Sequence, residues 1–301
     1  MKKATYFSAS LLIIGLIFIN AKSNKTIKYD GPTYTSDTYK IKALKLPANL
    51  NFAGEIVPVK KGDIRERLDR EFLVNTYWQS NGLLLIKRAN KYFPIIEQIL
   101  RKNGVPDDFK YLAVVESGLQ NVTSPKGAKG FWQLMRGTAK ENHLEVNRNV
   151  DERYNLELST QVACDYILRA KKKFGSWTLA AASYNNGIRG IARKIETQKV
   201  HNYYDLLLGT ETSRYIPRVI AVKEILTHPE KYGFVFDSTD LYFPKPTYKI
   251  KVDTPIHNIA LFAKKFKTNY KILKLHNPWL RENHLNNKSR KLYYVRIPKG
   301  S

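Results

Sequence analysis

The sequence contains one cysteine, Cys164, among 301 residues, so no disulfide can form within the chain. Its position in a helical pattern beside apolar residues predicts a buried structural thiol, not a nucleophile. Six histidines are scattered without an HExxH motif or paired metal-ligand spacing, which predicts no metal site and no cofactor. A glycine-rich phosphate loop is also missing, which argues against nucleotide chemistry.

Acidic residues are scarce as well, with 26 Asp and Glu against 51 Lys and Arg, for a net charge of +25. Between Lys245 and Lys299 fourteen basic side chains face only Asp253 and Glu282, a local charge of 14 − 2 = +12. Such a surface favours an anionic cell envelope as partner, although lysines can also simply keep a protein soluble. Nucleic acid is the other usual partner, and the export signal described next argues against it.

The N-terminus has the pattern of a targeting segment. Lys2 and Lys3 precede an apolar run over residues 6–19, which is short for a membrane span. Residues 1–21 are therefore predicted to be a signal peptide cut near Ala21, with an uncleaved N-terminal anchor as the alternative. We expect an exported protein of the periplasm or cell envelope, associated with the membrane only if the anchor is kept. The sequence carries no signal for an oligomeric state.

Three regions with different residue patterns follow the predicted signal peptide. Residues 22–64 are polar with little periodicity, which predicts a linker or N-terminal extension. Residues 65–235 have the spacing of amphipathic helices, and residues 246–299 have a strand, two helices and a strand. The expected fold class is therefore mainly α, with a helical domain and a small β-α-α-β module.

One carboxylate occupies an unexpected position. Phe109, Leu112 and Ala113 form an apolar helical stripe whose next place, seven residues after Phe109, is Glu116, and Gly118 ends the helix. A carboxyl group that faces a core should have a raised pKa, which would let Glu116 donate a proton near neutral pH. The alternative is a glutamate at a helix end that points to solvent or pairs with an arginine.

Two clusters offer partners to this carboxylate. Residues 127–135 place a glycine-rich turn before Trp132 and Gln133, which could stack on a sugar and bind its hydroxyl groups. Core packing is the competing interpretation for Trp132. Tyr184 lies where an apolar helix face meets a polar end, and its hydroxyl needs a partner, for which Glu116 is a candidate. The alternative is an ordinary core tyrosine.

Four motifs, in chain order, carry a resemblance to a known family: Glu116-Ser117, Gly127-Ala128-Lys129-Gly130-Phe131-Trp132-Gln133, Ala182-Ser183-Tyr184-Asn185-Asn186-Gly187 and Glu211-Thr212-Ser213-Arg214-Tyr215-Ile216-Pro217. They resemble the motifs of lytic murein transglycosylases, in the soluble-transglycosylase/goose-type lysozyme superfamily. Within it, the sequence is most similar to the branch of membrane-bound lytic murein transglycosylase D. The resemblance covers residues 65–235 and implies a lysozyme-like α-helical catalytic domain.

The resemblance also implies roles for individual residues. Glu116 would be the single catalytic acid and then base. Substrate binding is implied for seven further residues: Ser117, Ser124, Gln133, Tyr184, Asn185, Glu211 and Tyr215. Tyr184 and Tyr215 would orient Glu116. Glu211 would lie in the groove or hold its loop, and its competing interpretation is a glutamate that favours a helix N-terminus.

The implied reaction is cleavage of the MurNAc-GlcNAc β-1,4 bond of peptidoglycan with formation of 1,6-anhydro-MurNAc ends. Two carboxylates usually flank the bond in glycosidases, whereas the motifs here supply one. The alternatives are a lysozyme-type hydrolase, a chitin-active enzyme and a peptidoglycan-binding protein without activity.

The C-terminal module resembles a LysM carbohydrate-binding module. The resemblance rests on the following landmarks: Val252-Asp253-Thr254, Ile259-Ala260, Leu273, Leu275-His276-Asn277-Pro278 and Tyr294-Val295-Arg296-Ile297-Pro298. Val252 stands where such modules usually have glycine. Asp253 and Thr254 could instead be a helix cap, and the module could be a purely structural appendage.

Overall fold

A computed structural model of the protein describes residues 41–299. The predicted signal or anchor, residues 1–21, lies outside these residues. Within the described part of the chain, no helix combines the length and the apolarity that crossing a membrane requires.

Most of residues 43–235 are helical, as the spacing of apolar residues predicts. The helices in chain order are α1 (Gly62–Tyr77), α2 (Gln79–Lys102), α3 (Lys110–Ser117), α4 (Arg136–Glu141), α5 (Leu156–Phe174), α6 (Trp177–Asn186), α7 (Ile188–Gln198) and α8 (Thr210–Thr227). Local caps fix several ends. Asn155 accepts hydrogen bonds from the first turn of α5, Gly175 ends α5 in a left-handed conformation, and Ser176 caps α6.

The core of this helical body forms around α3. Leu112 and Ala113 are completely buried, and α3 packs against α2 and α8. Helix α1 lies along α8, with Leu68 and Phe72 turned inward. The core thus surrounds the short helix that ends beside Glu116.

Residues 50–59, in the segment predicted to be a linker or N-terminal extension, pack into this core. Strands β1 (Asn51–Phe52) and β2 (Glu55–Ile56) form a small antiparallel hairpin, and Phe52 is fully buried against Phe109. Glu55 accepts hydrogen bonds from the backbone N–H groups of Trp177 and Thr178 at the start of α6. The hairpin therefore caps a helix that is distant in sequence, which local periodicity cannot reveal.

The C-terminal module has the predicted order of elements: β3 (Thr247–Val252), α9 (Ile259–Lys265), α10 (Tyr270–His276) and β4 (Tyr293–Pro298). The strands pair antiparallel, with Ile250 opposite Val295. Asn258 caps α9 through the backbone N–H of Leu261, so the interpretation of Asp253-Thr254 as the cap is wrong. The module's core also contains Val150, which lies outside it in sequence.

Candidate functional site

Glu116 lies in the last turn of α3, where the sequence placed it. Gly118 follows in the left-handed conformation with φ 59°, which ends the helix as predicted. The chain enters α3 through a 3₁₀ turn, Asp107–Phe109, so the first predicted residues of the helix are not α-helical. Glu116 itself is only partly exposed, on the rim of the core that holds Leu112.

Tyr215 is the hydrogen-bond partner of this carboxylate. Its hydroxyl donates to Glu116 Oε1 across 2.6 Å, from a side chain on α8 that is only 1 % exposed. Burial raises the pKa of Glu116 to about 7, outweighing the hydrogen bond from Tyr215, which lowers it. The negative charge of Glu211 raises this pKa further and the positive charge of Arg218 lowers it. Glu116 is thus poised to exchange a proton near neutral pH.

Tyr184 makes a different contact from the one predicted. Its hydroxyl donates to the carbonyl oxygen of Trp132 across 2.8 Å, so the proposed hydrogen bond to Glu116 is not formed. Burial raises the pKa of Tyr184, and the negative charge of Glu116 raises it further. The two groups therefore still interact. Tyr184 therefore ties α6 to the glycine-rich loop beside the carboxylate.

Trp132 belongs to the core, and the interpretation as a sugar-stacking platform is wrong. Its side chain has no exposed surface, and the indole N–H donates to Thr160 Oγ1 across 2.8 Å. The ring of Tyr184 meets it edge-on, with 6.1 Å between the ring centroids. An indole enclosed on all sides has no face left for a sugar.

Ser124 and Gln133 both stabilise the loop formed by residues 121–134, called loop 121–134 below. Ser124 Oγ accepts a hydrogen bond from the backbone N–H of Ala128 at 3.0 Å. Gln133 has a positive φ of 45°, and its amide Nε2 donates to the carbonyl of Gly130 at 2.8 Å. Both side chains are partly exposed. Direct contact of either residue with a sugar stays a prediction.

Ser117 is buried, which argues against the predicted sugar contact. Its hydroxyl donates to the carbonyl of Phe131 at 2.8 Å and to that of Ala113 at 3.0 Å. This hydroxyl joins the end of α3 to loop 121–134. Ser117 therefore holds the loop against the helix that carries Glu116.

Asn185 and Glu211 lie at the junction of α6 and α8. Asn185 Oδ1 accepts a hydrogen bond of 2.8 Å from Thr212 Oγ1 in the first turn of α8. Glu211 is in the same turn, mostly exposed, and forms a 2.9 Å ion pair with Arg218. The placement of Glu211 at a helix N-terminus is thus correct, and its charge also acts on Glu116.

Glu71 also belongs to the surroundings of the site, although no motif in the sequence pointed to it. Its carboxylate is 1 % exposed and accepts from Arg214 Nε at 2.7 Å and from Arg218 Nε at 3.1 Å. Both arginines are on α8, on either side of Tyr215 in sequence. A signal existed, because Glu71 lies on the same buried stripe as Leu68, just as Glu116 lies on its own.

Potential metal ligands and the single thiol are further reactive groups in the part of the chain that the structure describes. Within residues 41–299, no group of three or more His, Cys, Asp or Glu side chains is arranged to hold a metal ion. Cys164 is fully buried in α5, and burial raises the pKa of its thiol to about 12. The titratable group poised for chemistry is therefore Glu116.

Two family models match the chain. The transglycosylase SLT domain matches residues 93–207, and the soluble lytic transglycosylase C-terminal LysM-like domain matches residues 248–301. Loop 121–134 and Glu116 lie within the first match.

Two curated proteins are similar to part of the chain. Membrane-bound lytic murein transglycosylase D of Escherichia coli is 32 % identical over 159 residues, which are 51 % of this chain and 35 % of that protein. A putative tributyltin chloride resistance protein of an Alteromonas species is 29 % identical over 130 residues, 42 % of this chain and 60 % of that protein. The match thus spans about a third of the first relative's length.

Among solved structures, the 70 kDa soluble lytic transglycosylase of Escherichia coli is similar with a TM-score of 0.41 and 19 % identity, over 50 % of this chain and 26 % of that one. The residues matched by the two family models include Glu116 in the first and nearly all of the C-terminal module in the second. The chain therefore combines a transglycosylase SLT domain with a C-terminal LysM-like domain, and it is homologous to membrane-bound lytic murein transglycosylase D.

Proposed function

We propose that this protein is a peptidoglycan lytic transglycosylase that cuts the MurNAc-GlcNAc β-1,4 bond and leaves 1,6-anhydro-MurNAc ends. The observation that carries the proposal is the half-buried carboxyl of Glu116, with a pKa of about 7 and a 2.6 Å hydrogen bond from Tyr215, inside an SLT domain. A carboxyl group with that pKa is about half protonated at neutral pH. It can therefore both give and take a proton.

The proposed reaction uses this group twice. Glu116 first donates its proton to the glycosidic oxygen, and the bond from that oxygen to C1 of MurNAc breaks. The N-acetyl group of the substrate stabilises the cation left at C1. Glu116 then takes the proton of the C6 hydroxyl while the C6 oxygen bonds to C1, which regenerates the acid and closes the anhydro ring without water.

The surroundings of Glu116 support this route over hydrolysis. Hydrolysing glycosidases use a second carboxylate as a nucleophile or as the base for water. Glu211, whose charge acts on Glu116, is mostly exposed and is paired with Arg218. Arg218 occupies one carboxylate oxygen of Glu211, which leaves this side chain less able to hold a water, so a nucleophile within the substrate is favoured.

The substrate contacts belong to the same proposal. Ser124 and Gln133 on loop 121–134 are proposed to bind the sugars beside the cleaved bond, and Asn185 to shape the groove through its contact with α8. Tyr215 orients the carboxyl, and Tyr184 fixes the loop beside it. The location proposed is the cell envelope, where peptidoglycan is found, reached by export through residues 1–21.

Analysis of digested sacculi by mass spectrometry tests the reaction. The expected product carries 1,6-anhydro-MurNAc ends, whereas reducing MurNAc ends would identify a hydrolase. Glu116→Gln should lower the rate by about 10³-fold, the range typical of a lost general acid-base group. Glu97→Gln is the matched control, because Glu97 is also partly buried but pairs with Lys110 away from the site.

Unchanged lysis by the Glu116→Gln variant would refute the catalytic assignment. Absence of lysis by the unaltered protein, together with retained binding to sacculi, would instead indicate a peptidoglycan-binding protein. Turnover of unmodified GlcNAc polymers at a comparable rate would point to a chitin-active enzyme.

A further inference from the structure

Residues 145–154, called the connector below, lie between loop 121–134 and the C-terminal module. On the module side, the backbone N–H of Asp151 donates to the carbonyl of Trp279 at 2.9 Å, and that of Arg281 donates to the carbonyl of Asn149 at 2.9 Å. Val150 is 1 % exposed and belongs to the hydrophobic core of the module. The module and the connector thus share backbone hydrogen bonds and a core.

A charged contact reinforces this attachment. The ammonium group of Lys291 lies 3.0 Å from Glu145 Oε2 and 2.9 Å from Glu152 Oε1. Tyr293 donates a 2.7 Å hydrogen bond to the same oxygen of Glu145, and the side chain of Glu152 is nearly buried. One lysine of the module therefore contacts both ends of the connector, which also bond to each other through the backbone N–H groups of Glu145 and Glu152.

The opposite side of the connector supports loop 121–134. Arg153, which is 4 % exposed, donates through Nη1 to the carbonyls of Gly127 at 3.1 Å and Leu134 at 3.3 Å. The approach is close, because a Cβ atom on Gly130 would lie 2.1 Å from the carbonyl oxygen of Arg153. The hydroxyls of Thr123 and Tyr154 are 3.0 Å apart.

Tyr154 is contacted from both sides. The guanidinium of Arg281, from the module, lies 4.3 Å from the centroid of its ring, and the ammonium of Lys129, from the loop, lies 5.6 Å from it. A shift of the connector would therefore displace the loop, because buried side chains of the connector contact the loop directly.

The loop in turn contacts the catalytic helix. Ser117, next to Glu116, bonds to the carbonyl of Phe131, and Tyr184 bonds to that of Trp132. Direct contacts therefore run without a gap from Lys291 in the module, through the connector and the loop, to the end of α3.

We propose that the C-terminal module is a fixed support of the substrate-binding loop, and that Lys291 is a positioning residue that acts on the loop through the connector. This inference rests on the proposed function and deepens it. A carbohydrate-binding module joined by a flexible tether would act only by holding the enzyme near its substrate. Here the module determines the geometry of loop 121–134, and thereby the affinity of the site itself.

A matched pair of lysine substitutions tests the proposal. Lys291→Met removes the contact with the connector. Lys249→Met removes an ion pair of 2.7 Å with Glu157, which joins the same module to helix α5, outside the connector. The two lysines are 39 % and 44 % exposed, so the substitutions are comparable in burial. Lys291→Arg keeps the charge and should restore the behaviour of the unaltered protein.

Hydrogen exchange of the loop amides is the first measurement, and it requires no activity. The backbone N–H groups of Gly130 and Leu134 donate within the loop, to Val122 and Lys129 respectively. We expect peptides covering residues 121–134 to exchange roughly tenfold faster in Lys291→Met and unchanged in Lys249→Met. Equal exchange in the two variants would overturn the proposal.

Binding is the second measurement, made in the Glu116→Gln background so that turnover does not interfere. Lys291→Met should weaken the Kd for a purified peptidoglycan glycan fragment by about tenfold, and Lys249→Met should leave it unchanged. In the catalytically intact protein the same variant should raise KM and leave kcat unaltered. Equal losses of affinity in both lysine variants would refute a specific role of the connector.

Failure of the proposed function would look different. If the Glu116→Gln protein bound no glycan fragment and the unaltered protein cut none, the substrate assignment would fall. The exchange comparison would still decide whether Lys291 holds loop 121–134.

Discussion

The hydroxyl of Tyr215 donates a hydrogen bond of 2.6 Å to the carboxylate of Glu116. The two residues belong to different helices and lie 99 positions apart in the sequence. This bond stabilises the charged form of the carboxyl, while burial stabilises the protonated form more strongly. The balance places the pKa of Glu116 at about 7.

Activity should fall as the pH rises through about 7, because the protonated carboxyl that begins the reaction is then lost. Tyr215→Phe removes a bond to the charged form, so the pKa of Glu116 rises and the alkaline limb of the pH profile moves up. A shift of about one pH unit is expected, together with a lower rate, since the carboxyl loses its orientation. The measurement is kcat/KM on soluble glycan strands as a function of pH.

Tyr203→Phe is the control for this prediction. Tyr203 is also a buried tyrosine, but its hydroxyl donates to the carbonyls of Thr212 and Ser213 and not to a carboxylate. The Tyr203→Phe protein should be less stable than the unaltered protein, but the alkaline limb of its pH profile should lie at the same pH. An identical limb in the Tyr215→Phe protein would contradict the assignment.

Glu71→Gln should destabilise the fold. The substitution leaves Arg214 and Arg218 without their buried partner, and breaking such a contact costs about 3 kcal/mol. Urea denaturation should show this loss in the free energy of unfolding. Glu97→Gln, which breaks the more exposed pair with Lys110, should cost less than about 1 kcal/mol. Equal costs would show that burial of Glu71 contributes nothing.

Two glycines of loop 121–134 distinguish backbone strain from a close contact. Gly127 and Gly130 have nearly the same φ, 82° and 81°, but only Gly130 faces the carbonyl of Arg153 at contact distance. Gly127→Ala should cost about 1–2 kcal/mol through strain alone. Gly130→Ala should cost about 3 kcal/mol or more and should displace the loop.

Thermal unfolding and glycan cleavage of the two alanine variants provide the comparison. We expect Gly130→Ala to lose most of its activity at a temperature where it is still folded. Gly127→Ala should keep most of its activity under the same conditions. The prediction fails if the two variants unfold at the same temperature and cut glycan at the same rate.

Trp132→Phe should affect stability and not affinity. Loss of the indole and of its bond to Thr160 should cost about 2 kcal/mol. Because no face of the ring is exposed, the Kd for a glycan fragment, measured in the Glu116→Gln background, should stay the same. A marked loss of affinity without a loss of stability would restore the sugar-stacking interpretation.

Cys164 should resist thiol reagents in the folded protein. Burial raises its pKa to about 12, so the reactive thiolate is nearly absent at pH 8, and the side chain has no exposed surface. An aromatic disulfide reagent should label it only after unfolding in guanidinium chloride. Rapid labelling of the native protein would show that the helix around Cys164 opens readily.

Local patterns in the sequence were sufficient for the helical character of residues 65–235, the order of elements in the C-terminal module, and the position of Glu116. Apolar spacing around Leu112 and the glycine at position 118 are enough to place a carboxylate at the end of a buried helical stripe. The same kind of information marked Trp132 and Tyr184 as important. It could not say what their polar atoms bind, because that depends on which helices meet.

The tertiary structure determined which side chains pair with one another. Glu71 and Arg214 are 143 positions apart, and Lys291 reaches Glu145 across 146 positions, so no local pattern joins them. The structure also enclosed Trp132 in the core and placed residues 50–59, near the end of the predicted linker or N-terminal extension, against the helices. The sequence by itself determined that a carboxylate, Glu116, continues an apolar helical stripe. Only the packing of α8 against α3 gave that carboxylate its tyrosine and nearby charges, because the balance between burial and charge is set by groups that folding brings together.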